Sequence, residues 1–301
     1  MKKTLAMMTV AMMVAGALAG CGSSSSTPAA TTAAATEAAT TAAATEAATD
    51  AATTEAAGDT AAAAEGTVKT PSGKFTVGFD QEFPPMGFVG DDGQFTGFDL
   101  GLAKEVASRL GLEFVPQPIN WDAKDMELDS GNIDCIWNGF TMQGREDAYT
   151  WVGPYMANNQ VFVVNADSDI ASKADLAGKA VEVQKDSSGL AALQSETELS
   201  ASFGSMTEVA DYNTALMDLE SGACDAVCMD SIVAGYQIKS SGKDMKILDD
   251  TLSAEEYGIG FKKGEDELAK AVHDTLMEMK DDGTVAKISN DWFGSDVFTL
   301  K

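Results

Sequence analysis

The chain has 301 residues, 45% of them hydrophobic, with 47 acidic side chains against 20 basic ones and a formal charge of −27. That length buries one or two full cores without a metal or disulfides. The acidity argues against a nucleic-acid partner, because phosphate contacts need clustered Lys and Arg, and against docking on anionic membrane surfaces. Only two basic residues, Arg109 and Arg145, are Arg, and the single histidine, His273, excludes a multi-histidine metal site. No cofactor or metal is expected.

Lys2 and Lys3 precede an apolar run, Thr4 to Ala19, which is too short for a lasting membrane span. The run ends Leu18-Ala19-Gly20-Cys21 and resembles a bacterial lipoprotein signal, with residues 1–20 removed and Cys21 lipidated. The mature protein would then begin outside the cytoplasmic membrane, anchored to it by lipid. Residues 21–67 are nearly all Ala, Thr, Ser and Glu, with a nine-residue unit at 31–39, repeated at 40–48 and degenerate at 49–57. No unit carries a large apolar side chain, so the segment reads as a disordered linker and not as a solenoid. If coil-like, its ~45 residues span roughly 35–40 Å. Residues 1–66 carry a net −4 and the remainder −23, so the acidity belongs to the folded body.

From about Val68 strand and helix patterns alternate. Lys74–Phe79 reads as a short strand, followed by a turn at Phe83-Pro84-Pro85. Asp99 to Leu110 places apolar residues at 100, 102, 103, 106, 107 and 110, an amphipathic helix stopped by Gly111. Leu112–Val115 reads as a strand, with a turn through Trp121 and a helix near Lys124–Asp129. Strands follow at Ile133–Trp137, Val161–Val164, Ala180–Val183 and Asp225–Met229. Helices are predicted near 188–196, 211–221, 231–240, 265–281 and 284–291. The alternation predicts an α/β fold, a parallel sheet covered by helices, and about 235 such residues suit two lobes. Cys224 and Cys228, four strand residues apart, stand ~13 Å from one another, too far for a disulfide. With Cys135 they are expected as buried free thiols.

Open α/β sheets gather ligands beyond the carboxyl ends of their strands, here the loops after Phe79, Ile119, Trp137, Val183 and Met229. In Asn138-Gly-Phe-Thr-Met-Gln-Gly-Arg145, Gly139 permits close backbone approach, Thr141 offers a hydroxyl and Arg145 a planar fork suited to a carboxylate. Arg145 could instead cap a helix or pair with Glu146 or Asp147. Asp230 ends a strand and could receive an ammonium group, or could serve as the N-cap of the helix opening at Ser231. Lys185-Asp-Ser-Ser-Gly189 supplies hydroxyls and amides at a helix start, a place suited to anions. Phe83 and Trp121 sit in turns, where each could pack or stack on a ligand.

Several segments, in order over about residues 74–296, resemble the extracellular solute-binding proteins that serve polar amino acid ABC transporters. They are Gly97-Phe-Asp-Leu-Gly-Leu-Ala103, Asp134 to Tyr155 with its Gly-x-Thr, Arg and Pro-Tyr positions, Asp225-Ala-Val-Cys-Met-Asp230, Tyr257-Gly-Ile-Gly-Phe-Lys-Lys-Gly264 and Asp291-Trp-Phe-Gly294. The resemblance implies a periplasmic-binding-protein-like type II fold, two α/β lobes joined by a two-strand hinge, with the ligand in the inter-lobe cleft. Lobe 1 would comprise 68–159 and 256–301, and lobe 2 would comprise 160–255. It further implies that Arg145 grips an α-carboxylate, helped by Thr141, Gly139 and Ser188, and that Asp230 holds the α-ammonium. Phe83 and Trp121 would bracket the side chain, with Asp80, Glu82 and Asn138 reading its polar end. The stretch from Thr141 to Arg145 is one residue shorter than the usual family spacing.

The implied ligand is a free polar amino acid, cationic, amide-bearing or cystine-like, delivered by a monomer to an ABC transporter permease. Two other classes share the fold: a sensing module for a surface receptor and a cyclohexadienyl-dehydratase-like enzyme. The second needs an acid or base in the cleft, and the sequence offers no Ser-His-Asp, P-loop or Cys-His arrangement. The chain is therefore not expected to be an enzyme.

Overall fold

The computed structural model describes residue 70 and residues 72–301. The expected signal segment, Cys21 and the whole linker, residues 21–67, lie outside the described residues. Strand β1 (Lys74–Phe79) runs into β2 (Glu82–Phe83), β3 (Gly87–Val89) and β4 (Phe95–Thr96), which pair as a small antiparallel sheet. Helix α1 (Phe98–Leu110) buries Leu100, Leu102, Ala103, Val106 and Ala107, the face its apolar spacing predicted, and left-handed Gly111 ends it. Next come β5 (Glu113–Pro118), α2 (Lys124–Asp129), β6 (Cys135–Thr141) and β7 (Tyr149–Asn165). They are followed by β8 (Ala180–Gln184), α3 (Ser188–Ser195), α4 (Thr197–Ser202), β9 (Ser205–Val209), α5 (Tyr212–Ser221) and β10 (Ala226–Asp230). The chain closes through α6 (Ser231–Ser241), β11 (Met245–Ile247), β12 (Ser253–Lys262), α7 (Asp266–Asp281) and α8 (Thr284–Phe293).

One nine-stranded sheet runs β5-β1-β6-β12-β7-β10-β8-β9, with β11 beside β7. The expected wholly parallel sheet is corrected here. Pairs at each end (β1 with β5 and β6, β8 with β9 and β10) are parallel, whereas β12 and β7 run antiparallel to their neighbours. Strand β7 has 17 residues, of which the sequence pattern marked only Val161–Val164. Its first part carries Pro154 and the polar run Asn158-Asn159-Gln160, which break the apolar signal although tertiary pairing holds the backbone extended. Strands β9, β11, β12 and the small sheet also escaped the pattern.

Strand β7 pairs with β12 from Tyr149 to Gln160, then with β10 and β11 from Gln160 to Asn165. It thus serves the sheet on both sides. The result is two α/β lobes connected through β7 and β12, with a bulge in β12 at Gly258 to Gly260. Phe75, Val77 and Phe79 of β1 and Val106 of α1 anchor one core cluster; Phe162, Val181, Val183 and Leu193 anchor another. Fully burying each such side chain is worth about 1.5–3 kcal/mol. Among the described residues Cys135, Cys224 and Cys228 are free and buried, and desolvation pushes the Cys224 thiol up to about 12. Arg109 ties α1 to the α7–α8 corner through Asp282 at 2.7 Å, and pairs within its own helix with Glu105 at 2.9 Å. That leaves Arg145 as the arginine with no carboxylate within ion-pair distance among the described residues.

Candidate functional site between the lobes

The loop after β6 is set by two features of the sequence. Gly139 has φ of +56°, and a Cβ there would meet Phe83 at 2.9 Å and Tyr257 at 3.1 Å, so glycine is required for both conformation and space. Its N–H donates to Asp99 Oδ2 at 2.7 Å, and the same oxygen accepts from Tyr155 at 2.8 Å. Asp99 is fully buried, and desolvation raises its carboxyl to about 7. The Gly-Phe-Asp helix start therefore fastens the binding loop to the lobe.

Nine residues line a cavity of about 10 Å³ where the lobes meet, scarcely the volume of one water. They include seven expected from the sequence: Phe83, Trp121, Gly139, Thr141, Arg145, Ser188 and Asp230. Gln184 and Ser187 complete the lining. An amino acid is far larger, so entry requires the lobes to part or the lining side chains to move.

Arg145 caps no helix and pairs with neither Glu146 nor Asp147. Its guanidinium donates to the Thr141 carbonyl at 3.2 Å and the Asp186 carbonyl at 3.3 Å, and lies 5.1 Å from the Phe140 ring centroid. The short loop is closed by a turn in which the Arg145 N–H donates to the Met142 carbonyl at 3.0 Å. The shortened spacing therefore leaves the guanidinium at the cavity. Asp230 occupies the N-cap position of α6 but makes no side-chain cap. Its carboxylate instead accepts from Asn158 at 2.6 Å, Tyr257 at 2.7 Å and Tyr212 at 3.0 Å. Burial first, and then nearby Glu255, raise it to about 7.

The remaining expected residues sit differently. Asp80 Oδ2 accepts from Gln184 Nε2 across the cleft at 2.7 Å, and burial lifts its carboxyl to about 6. Asn138 is buried behind it, with Oδ1 accepting the Asp80 N–H at 3.0 Å, and does not line the small cavity. Glu82 faces a wider cleft of about 980 Å³, where Asp122, Glu127, Glu208 and Asp211 add to Asp80 and Glu82 against Lys185. Phe83 packs on Tyr212, ring centroids 5.7 Å apart, and Trp121 meets Phe140 edge-on at 5.5 Å. His273 lies on α7 beside Asp274 and lines neither space.

Further contacts span the cleft. Buried Lys124 pairs with Asp186, Lys185 with Asp122 at 2.7 Å, Glu82 with Asn213, and the Thr141 and Ser188 hydroxyl oxygens lie 3.2 Å apart. Sequence reasoning missed Gln184, Tyr212, Asn158, Gln160, Glu255 and Tyr257. The available signal was the polar residues Asn158, Gln160 and Glu255, at alternate positions of β7 and inside β12.

The family model for bacterial extracellular solute-binding proteins, family 3, matches residues 75–295. The chain belongs to that family. Its relatives include the L-cystine-binding protein TcyJ of Escherichia coli (strain K12), 33% identical over 231 residues, 75% of this chain and 84% of that protein. The L-cystine-binding protein TcyA of Bacillus subtilis (strain 168) is 32% identical over 229 residues, covering 75% and 83%. Among solved structures, an ABC uptake transporter substrate-binding protein from Streptococcus pneumoniae with bound histidine matches with a TM-score of 0.74 and 34% identity, covering 76% of this chain and 96% of that one. An ancestral arginine-binding protein bound to arginine matches with a TM-score of 0.69 and 36% identity, covering 74% and 99%. The two-lobed, two-strand-hinged type II fold is thus the fold of this chain.

Proposed function

We propose that this chain binds a free polar amino acid outside the cell and delivers it to an ABC transporter permease. One observation carries the reading: a free guanidinium and a buried carboxylate face the same inter-lobe cavity, an arrangement that complements a zwitterion. Arg145, with Thr141, Gly139 and Ser188, takes the α-carboxylate. Asp230 takes the α-ammonium, Phe83 and Trp121 bracket the side chain, and Asp80, held by Asn138, meets its far end with Glu82 at the mouth. The acidic mouth favours a side chain ending in a cation or a second ammonium. Relatives named for cystine, arginine and histidine support that range.

The mechanism follows from desolvation. Burying an unpaired charge costs several kcal/mol, so a zwitterion binds weakly to one lobe and tightly when both close on it. Closure is a population shift driven by contacts available only when the lobes meet. The lobes are taken as 68–159 plus 256–301 and 160–255, a division supported by the crossing of β7 and β12 near Gln160 and Ser253. Residues 1–20 serve as a lipoprotein signal, Cys21 carries the lipid, and residues 21–67 act as the tether. A Cys21→Ser variant is accordingly released from the membrane fraction. A thermal-shift panel of the amino acids tests the ligand: a cognate amino acid at 100 times its Kd adds ~2.7 kcal/mol. If no amino acid shifts the melting temperature, the reading fails.

A further inference from the structure

Two buried acids meet at the centre of the hinge. Asn158 Nδ2 on β7 donates both to Asp230 Oδ1 at 2.6 Å and to Glu255 Oε1 at 2.7 Å, so the two carboxylates share a single amide nitrogen. Glu255 lies on β12, only 6% exposed, and Asp230 is 3% exposed. Glu255 Oε1 also accepts from Thr141 at 2.8 Å, Gln160 at 2.8 Å and Ser188 at 3.3 Å. It thus touches both lobes and the other hinge strand. Among the described residues no Lys, Arg or His forms an ion pair with either acid. A second observation points to a missing donor: Gln160 Oε1, fully buried in the same cluster, accepts no hydrogen bond.

Two like charges this close in a dry site are not both retained without a cation or a proton. The neighbours do not supply either. Tyr212 from α5, Tyr257 from β12, Tyr155 from β7 and Cys228 from β10 all have their ionisation pushed well above its ordinary range by burial, and stay neutral. Thr141 of β6, Ser188 of α3 and Ser231 of α6 bring hydroxyls, and the nearby cation Arg145 is turned to backbone carbonyls. We infer that Asp230, crowded by Glu255 on the same Asn158 amide, holds a proton in the free protein, and that the two side chains together accept the ligand's ammonium group, so that binding exchanges that proton for the ammonium. The ammonium arrives carrying its own charge, the proton leaves Asp230 for solvent, and Gln160 Oε1 serves as a further acceptor. Glu255 is then a positioning residue on the hinge strand, linking ligand charge to closure. This inference rests on the amino-acid-binding reading for its ligand half alone.

The test is carboxyl-carbon NMR of the 13C-labelled chain from pH 4 to 9, comparing wild type, Glu255→Gln and Asp230→Asn, each with and without L-arginine or L-cystine. In the free protein a carboxyl should titrate near neutral pH, vanish in Asp230→Asn, and fall by about one unit or more in Glu255→Gln as the like charge is removed. In the free variants the signal of Asp99, whose partners are Gly139 and Tyr155, should hold still and report an intact fold. The amino acid that binds should abolish the neutral titration, and its affinity should weaken about tenfold per pH unit below the midpoint in wild type and less in Glu255→Gln. An Asp230 titration unchanged by Glu255→Gln overturns the inference whether or not a ligand binds. Binding of neither amino acid, with the titration as expected, counts instead against the proposed ligand class.

Discussion

At the scale of single residues, a guanidinium and a carboxyl group, Arg145 and Asp230, line one cavity. Arg145 and Asp230 were each open to a bland explanation, an ion pair with a chain neighbour or a helix cap. Geometry removes both, because the guanidinium meets only backbone carbonyls and the Asp230 carboxylate turns away from α6 to Asn158, Tyr212 and Tyr257. Removing one partner of a buried charge pair costs about 2–5 kcal/mol, so Arg145→Ala and Asp230→Ala should each weaken binding by roughly 30-fold to several thousand-fold. Isothermal calorimetry with the cognate amino acid measures this. Affinity near that of wild type in either variant would remove that residue from the site. Asn138 lies behind Asp80, its Oδ1 accepting the Asp80 backbone N–H, and does not line the small cavity.

At the scale of elements, the loop after β6 and the two crossing strands carry the site. Gly139 sits under the Phe83 and Tyr257 rings at a left-handed φ, with its N–H held by Asp99. Gly139→Ala combines a strained conformation with a steric clash, and should cost about 1–3 kcal/mol of stability in urea unfolding. It should also weaken ligand binding, since the displaced loop carries Thr141 and Arg145. A wild-type denaturation midpoint for this variant would contradict the geometry. Strand β12 contributes in a way its apolar pattern hides: Glu255 and Tyr257 reach the cavity cluster, while Glu256 between them faces outward, where Gln143 meets it. The strand's period of two places these residues, and pairing with β7 and β6 fixes their register.

At the scale of the whole molecule, three buried acids set the pH dependence of stability. Asp80 is raised to about 6, and Asp99 and Asp230 to about 7, by burial in each case. Each holds its proton more tightly folded than unfolded, so its contribution is fully present below about 4 and is lost as pH rises through 6–7. Exposed Asp282, held down to about 2 by Thr284 and Arg109, acts oppositely, but only as pH falls below about 4. The free protein should therefore melt several degrees higher at pH 5.5 than at pH 8 by calorimetry. Relief of the folded body's net negative charge adds in the same direction. A melting temperature that rises toward pH 8 would show these carboxyls ionised in the fold.

The sequence by itself determined the class, since apolar periodicity fixed α1, α7 and the short parallel strands, and ordered motifs fixed the family. Scarcity of arginine, together with a loop at a strand end, was enough to single out Arg145. The family resemblance implied a two-strand hinge; what only the tertiary structure decided was which strands form it and what they bury. Long antiparallel pairing of β7 with β12 depends on partners about 100 residues apart in the chain, which no local pattern encodes. The meeting of Asp230 with Glu255 on one amide of Asn158 is of the same kind. It exists because two crossing strands and the end of a third converge, and no spacing along the chain foretells which polar side chains are shut away from water together.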